Sequence, residues 1–484
     1  MKFIIVFCVF GFSATAWAQV PADAGSTQPA PQASPDAGDV PAVDAGGADA
    51  SDLMNQINEA AGAPTPAPTP NAAAPAPAPV AAPMSFGARV FQSMNPDISA
   101  IIDATGGYAP HFPYSLAGDD PDLQQLKPGR FAGFTIQEAE VGLQAVVDPY
   151  FRADMFLTIP NLNGLEVEEA YITATSLPGD LQVKAGEFRS AIGRQNGQHL
   201  HVQDFTRRPL INAAYLGTDG LRAPGVQVSW LAPTPFFLQF LGEAFSVAEP
   251  DDTSQPSTFG GGPRQDLTYT GEAKLFVPAT ESLSIYWGLS AAFGRGNVPL
   301  GTPTTPAGLA ALGSSVLADA ATQLYGSDLY VKFKPPNQSG GYFSVAWQSE
   351  YYVRHTSGDT CVRTSTGDCE VFITGDASLT NLGSDKVDGG FYSQLVFQLD
   401  RRWFVGVRED FLGAPTSDIQ PEVNRVAADV TFVTSEFAKI RLYGEREDVN
   451  TPVGPLGGGS SWATNYMGLL QLEIAMGAHG AHAF

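Results

Sequence analysis

From Phe86 to the C-terminus the sequence keeps returning to a two-residue hydrophobic alternation, and no helix can use that period. In Phe151–Ile159 one face reads Phe151, Ala153, Met155, Leu157, Ile159, and the other Arg152, Asp154, Phe156, Thr158. In Leu283–Phe293 the apolar face carries Leu283, Ile285, Trp287, Leu289, Ala291 and Phe293, while Ser284, Tyr286, Gly288, Ser290 and Ala292 alternate with it. Similar runs start near Ile98, Phe131, Leu165, Leu181, Leu221, Pro235, Asp266, Thr322, Gly341, Val387, Arg402, Val423, Phe437 and Asn465, so about sixteen strands are predicted.

The connections between these runs choose the architecture. Those at Asp148-Pro149, Ser176–Asp180, Ala232–Pro235, Pro278–Glu281, Pro335–Gly340, Asp400-Arg401 and Thr434–Glu436 are short. The alternate ones are long: Pro110–Arg130, Ala191–Gly220, Val247–Gln265, Gly294–Ala321, His355–Lys386 and Asp448–Thr464, with the tight Asn161–Gly164 as the exception. A soluble sandwich has no reason to gather its long loops at one end. A transmembrane antiparallel β-barrel does, with turns toward the periplasm and loops outside. Composition agrees. Charged residues are 16% of the 484, below the quarter or so of a soluble domain, and mean hydropathy is −0.04. The first apolar run is the only one approaching the length of a spanning helix. A net charge of −24 argues against a nucleic-acid partner, whose phosphates need a basic face.

Three segments follow. Residues 1–18 read as a signal peptide: Lys2, an apolar stretch from Phe3 to Phe12, and Ala16-Trp17-Ala18 before a cleavage at Gln19. Residues 19–85 are Pro/Ala-rich, with loose Asp-Ala-Gly repeats, and cannot bury enough apolar area to offset their ordering entropy. A disordered periplasmic leader is expected there, either a spacer toward peptidoglycan or an inert tail. Residues 86–484 form the outer-membrane barrel. In its last strand Tyr466, Leu470, Leu472, Ile474 and Met476 share a face and the chain ends in Phe484, which resembles the signal read by the barrel-assembly machinery.

Several stretches carry a family resemblance: Asn95-Pro96-Asp97-Ile98-Ser99, Val167-Glu168-Glu169-Ala170-Tyr171, Ala185-Gly186-Glu187-Phe188-Arg189, Gln198-His199-Leu200-His201 with Asp204-Phe205, Trp230–Phe237, and the His479–Phe484 tail. They resemble the phosphate-selective porin O/P superfamily, and most closely a bacterial subgroup labelled zinc-regulated outer-membrane proteins. The resemblance implies a sixteen-stranded porin-like barrel and leaves the solute open.

Candidate sites concentrate in the connection Ala191–Gly220. Arg189, Arg194, Arg207, Arg208 and Arg222 lie in or beside it, an unusual excess in a chain of 26 basic and 50 acidic residues. Two readings stand. The guanidinium groups line a pore constriction and favour anions, or they pair with carboxylates such as Glu166, Glu168 and Glu169 and hold the loop. His199 and His201, with Asp204, could bind a transition metal through imidazole and carboxylate, zinc being the candidate; His479 and His482 form a second pair. No other cofactor is expected. Cys361 and Cys369 bracket a polar stretch and, in an exported protein, are expected to form a disulfide. No Gly-x-Ser-x-Gly or His-Glu-x-x-His occurs, and no enzyme is expected.

The sequence thus predicts a porin-like channel in the outer membrane of a Gram-negative bacterium, passing small solutes by diffusion, with anions preferred if the arginines line the pore. The alternative is a plugged surface or structural barrel that binds a metal ion or a cell-envelope partner. Expected partners are outer-membrane lipid, small solutes or anions, the assembly machinery during insertion, peptidoglycan through the leader, and further copies in a homo-trimer.

Overall fold

Alternation of apolar and polar residues becomes one curved sheet. The structure, a computed structural model, describes residues 96–110, 131–160, 164–217, 219–247, 258–260, 266–299, 313–364, 369–370, 385–452 and 460–477. Its strands are β1 (Asp97–Ala109), β2 (Phe131–Val146), β3 (Phe151–Thr158), β4 (Glu166–Leu177), β5 (Leu181–Arg189), β6 (Arg222–Leu231), β7 (Phe237–Phe245), β8 (Thr268–Pro278), β9 (Leu283–Pro299), β10 (Gly313–Phe333), β11 (Ser344–Thr364), β12 (Cys369–Glu370), β13 (Asp385–Gln398), β14 (Trp403–Ser417), β15 (Glu422–Ser435), β16 (Ala438–Pro452) and β17 (Ser460–Gly477). Apart from the two-residue β12, consecutive strands pair antiparallel. β1 also pairs with β17, Ser99 opposite Gly477, and this closes the sheet. The two-residue β12 only folds back on the end of β11, which pairs directly with β13, so sixteen strands form the wall. Closure leaves no unpaired edge, which a hydrocarbon surround requires. The even count brings both ends of the described barrel to the side of the short turns.

The short turns are set by local chemistry. Asp148 Oδ1 accepts from the amides of Tyr150 and Phe151 at 2.7 and 2.9 Å, and Asp400 Oδ1 from those of Arg402 and Trp403 at 2.7 and 3.0 Å. These are Asx turns, in which a carboxylate stands in for a backbone acceptor.

Several long connections are shorter than the pattern predicts. β9 and β10 take up both flanks of Gly294–Ala321, and β11 runs on to Thr364. At 21 residues, β10 and β11 span about 70 Å along the strand, far beyond an apolar band about 25 Å tall even when tilted. Their outer ends stand in water, so nothing selects for an apolar face there and the alternation fades.

Outward faces are apolar, as the alternation requires. Leu289, Val407, Val426, Leu442, Leu470 and Leu472 are exposed on the wall. Exposed aromatics mark both margins: Tyr150, Trp230, Phe236, Trp403 and Phe437 near the short turns, and Tyr108, Tyr269, Trp462 and Tyr466 toward the other end. An apolar belt between two aromatic girdles is the surface of an outer-membrane barrel.

The signal peptide, the leader, His479 and His482 lie outside the described residues, as do the side chains of Cys361 and Cys369. The backbone places Cys369 opposite Arg363 on the β11–β12 hairpin.

Candidate functional site

The chain between β5 and β6 turns inward and crosses the lumen. Gly193, at φ +65°, lets it pass Tyr352 and Glu350, where a Cβ would collide with both side chains. A short 3-10 turn (Leu200–Val202) and helix α1 (Leu210–Leu216) follow. All seven residues of α1 are buried. Leu210, Ile211, Ala214 and Tyr215 form one apolar cluster with Tyr352, Tyr392, Leu412 and Val423 from the wall. The segment is therefore part of the core. Polar contacts add to this: the Leu210 amide donates to Asp410 Oδ1 (3.0 Å), and Arg441 Nη2 to the carbonyl of Gln203 (3.0 Å).

The predicted arginines separate into two groups. Arg189, Arg208 and Arg222 converge on Asp219, with N–O distances of 2.8, 3.3 and 3.5 Å. Arg189 also donates to Glu168 through Nε at 3.1 Å, and Arg207 pairs with Glu445 of β16. Arg194 pairs with no carboxylate among the described residues. Its guanidinium lies 4.1 Å from the ring centroid of Tyr330, and Nε reaches Gln348 Oε1 at 3.4 Å.

His199 caps the start of the 3-10 turn and His201 lies within it, so the pair is not on the extended strand that His-x-His suggests, yet their rings are 5.6 Å apart. His199 Nδ1 lies 2.8 Å from Glu140 Oε2, and its Nε2 lies 2.7 Å from Glu169 Oε2. His201 Nδ1 is 3.6 Å from both Glu138 Oε1 and Glu140 Oε2. Asp204 is elsewhere, exposed and accepting from Gln394 Nε2 at 3.1 Å. Glu140 of β2 takes the place beside the imidazoles that the sequence assigns to Asp204.

Two register shifts build this acidic wall. Between β3 and β4 the pairing steps from Phe156–Glu169 to Leu157–Val167, which leaves Glu168 as an extra residue. Between β1 and β2 it steps from Asp103–Glu138 to Ala104–Ile136, which leaves Gln137 extra. A bulge puts consecutive side chains on one face, so Glu168 and Glu169, and likewise Gln137 and Glu138, are all buried on the inside. Within the inward segment, burial works against a charged His199, but Glu168, Glu140 and Glu169 outweigh it and raise its pKa well above the usual histidine value. At His201 burial dominates, and its pKa is pushed down to about 4. Burial would raise Asp219, but Arg189, Arg222 and Arg208 hold its carboxyl well below the carboxylate range.

Beneath the segment, in the half nearer the short turns, the lumen opens into a cavity of about 800 Å³. Inward faces of β2–β9 wall it and residues 191–199 bound one side. Arg152, Lys184, Arg189, Arg194 and Lys274 line it, against the carboxylates Asp154 and Glu169. Arg152 is paired with Asp154 (2.8 Å) and Lys274 with Glu272 (3.1 Å). Lys184 has no carboxylate partner among the described residues, and its Nζ lies 4.4 Å from the Tyr171 ring centroid. The cavity thus holds two cations without carboxylate partners, Lys184 and Arg194. Sequence reading finds Arg194 and passes over Lys184, because a single lysine in a strand carries no local signal.

No described family profile matches the chain. An uncharacterized protein of Aquifex aeolicus (strain VF5) is 32% identical over 435 residues, covering 80% of each chain. Among solved structures, OprB of Pseudomonas putida is 10% identical with a TM-score of 0.49, over 80% of this chain and 96% of that one. The anion-selective porin of Comamonas acidovorans is 8% identical with a TM-score of 0.46, over 79% and 99%. The outer membrane channel DcaP of Acinetobacter baumannii is 10% identical with a TM-score of 0.46, over 79% and 97%.

Proposed function

This chain belongs to one family with the Aquifex aeolicus protein, and for it we propose the function of an outer-membrane channel of restricted bore that passes small solutes by diffusion and prefers anions. The observation that carries the reading is the polar cavity inside a closed barrel, with Lys184 and Arg194 facing it. A cation in a narrow space with low-dielectric walls acts on passing ions far more strongly than one at a wide mouth. The other four arginines hold the segment, since each pairs with one of Asp219, Glu168 and Glu445. The resemblance to the phosphate-selective porin O/P superfamily leaves the solute open; a homo-trimer belongs to the same proposal.

One observation favours a second reading, a plugged structural or surface barrel: α1 and its neighbours are packed into the lumen as a core. Recording from single proteins in planar bilayers separates the two. A channel gives stable, uniform current steps. A barrel that inserts, by its heat-modifiable gel shift, and yields no steps is the plugged form.

A further inference from the structure

The channel reading leaves the cluster of Glu138, Glu140, His199 and His201 unused. We propose that these four residues form a binding site for one divalent transition-metal ion, of zinc-like donor preference, that clamps the lumen-crossing segment to β2.

Zinc–ligand bonds of about 2.0–2.1 Å place tetrahedral donors about 3.3 Å apart. Here His199 Nδ1 and Glu140 Oε2 are 2.8 Å apart, and His201 Nδ1 is 3.6 Å from both Glu140 Oε2 and Glu138 Oε1. The donors of Glu140, His199 and His201 all fall within 4.8 Å of one another. Small rotations bring such a set around one ion.

The surroundings are also those of a metal site. His199 directs Nε2 at Glu169 Oε2 (2.7 Å), which orients the ring and leaves Nδ1 toward the cluster. Glu138 and Glu140 are each more than nine-tenths buried, and each keeps an Oε1 with no hydrogen-bond partner. Native proteins seldom bury such atoms without a compensating group. Charge points the same way. With both imidazoles neutral, as metal ligation requires, so that the ion displaces any proton on His199, the connected network holds five carboxylates (Glu138, Glu140, Glu168, Glu169, Asp219) against three guanidinium groups (Arg189, Arg208, Arg222). Lys439, which donates to the His201 carbonyl, is matched by Glu473 at 2.8 Å. An excess of two negative charges in a buried wall is what one divalent ion neutralises. Entry is available, because His199 and Glu169 line the cavity. Imidazole with carboxylate suits zinc and its neighbours rather than calcium or magnesium.

The test is calorimetric titration of zinc chloride into the full chain, purified in detergent and stripped with a chelator. One zinc per barrel is expected. H199Q/H201Q should weaken that binding at least tenfold, and so should Glu138→Gln, which keeps the side-chain shape. H479Q/H482Q, in the tail, should leave it intact. Heat-modifiable migration identifies folded variants, and the Glu138→Gln arm stands alone should the double variant not fold. No binding by wild type at micromolar zinc, undiminished binding in folded H199Q/H201Q or in Glu138→Gln, or loss of binding in the tail variant would each overturn the site.

Discussion

Asp219 holds the inward segment at its return to the wall, taking ion pairs from Arg189, Arg208 and Arg222. Its pKa lies below the ordinary aspartate value of 3.8. The stabilisation is therefore fully present above pH 3.8 and is lost as pH falls toward the depressed value. Because the carboxylate is 39% exposed, solvent screens the pairs and the contribution is about 1 kcal/mol rather than that of a dry ion pair. Hydrogen-exchange protection of the α1 amides reads this out. Protection in wild type should fall as pH drops below about 4. Asp219→Asn should start lower at neutral pH and lack the acid step. Superimposable profiles for the two proteins would show that Asp219 does not hold the segment.

At the scale of elements, strand positions were legible because membrane physics writes them plainly. The runs beginning at Leu165 and Leu181 became β4 from Glu166 and β5 from Leu181. The outer halves of β10 and β11 were not legible, since strands standing in water need no apolar face. The site was half legible. The local excess of arginine could be seen, but Glu445 lies 238 residues from Arg207 and Glu140 lies 59 from His199. Glu168 and Glu169 could be named as arginine partners, but the bulges at Gln137 and Glu168 break the strand period, so nothing local marked Glu138 and Glu140 as the other half of the acidic wall. The faces themselves are testable. Leu289 points to lipid and Ser229 to the cavity. Leu289→Arg should cost about 2–4 kcal/mol in denaturant unfolding from lipid, and Ser229→Arg much less, because an added guanidinium finds room and polar neighbours there. A larger loss for Ser229→Arg would mean the strand faces are inverted.

The whole molecule sets one cation-lined cavity inside an acidic chain. Its net charge is −24, yet the cavity in its lumen presents Lys184 and Arg194 without carboxylate partners. A charge in a confined path outweighs more numerous charges spread over an outer surface, where salt screens them within about 10 Å at 0.1 M. The most direct measurement is the zero-current potential of the reconstituted protein across a potassium chloride gradient. Chloride should permeate more readily than potassium, and K184A/R194A should move the potential toward the potassium side. A potential of potassium sign in the wild type, or one that K184A/R194A leaves unchanged, would contradict an anion path through this cavity.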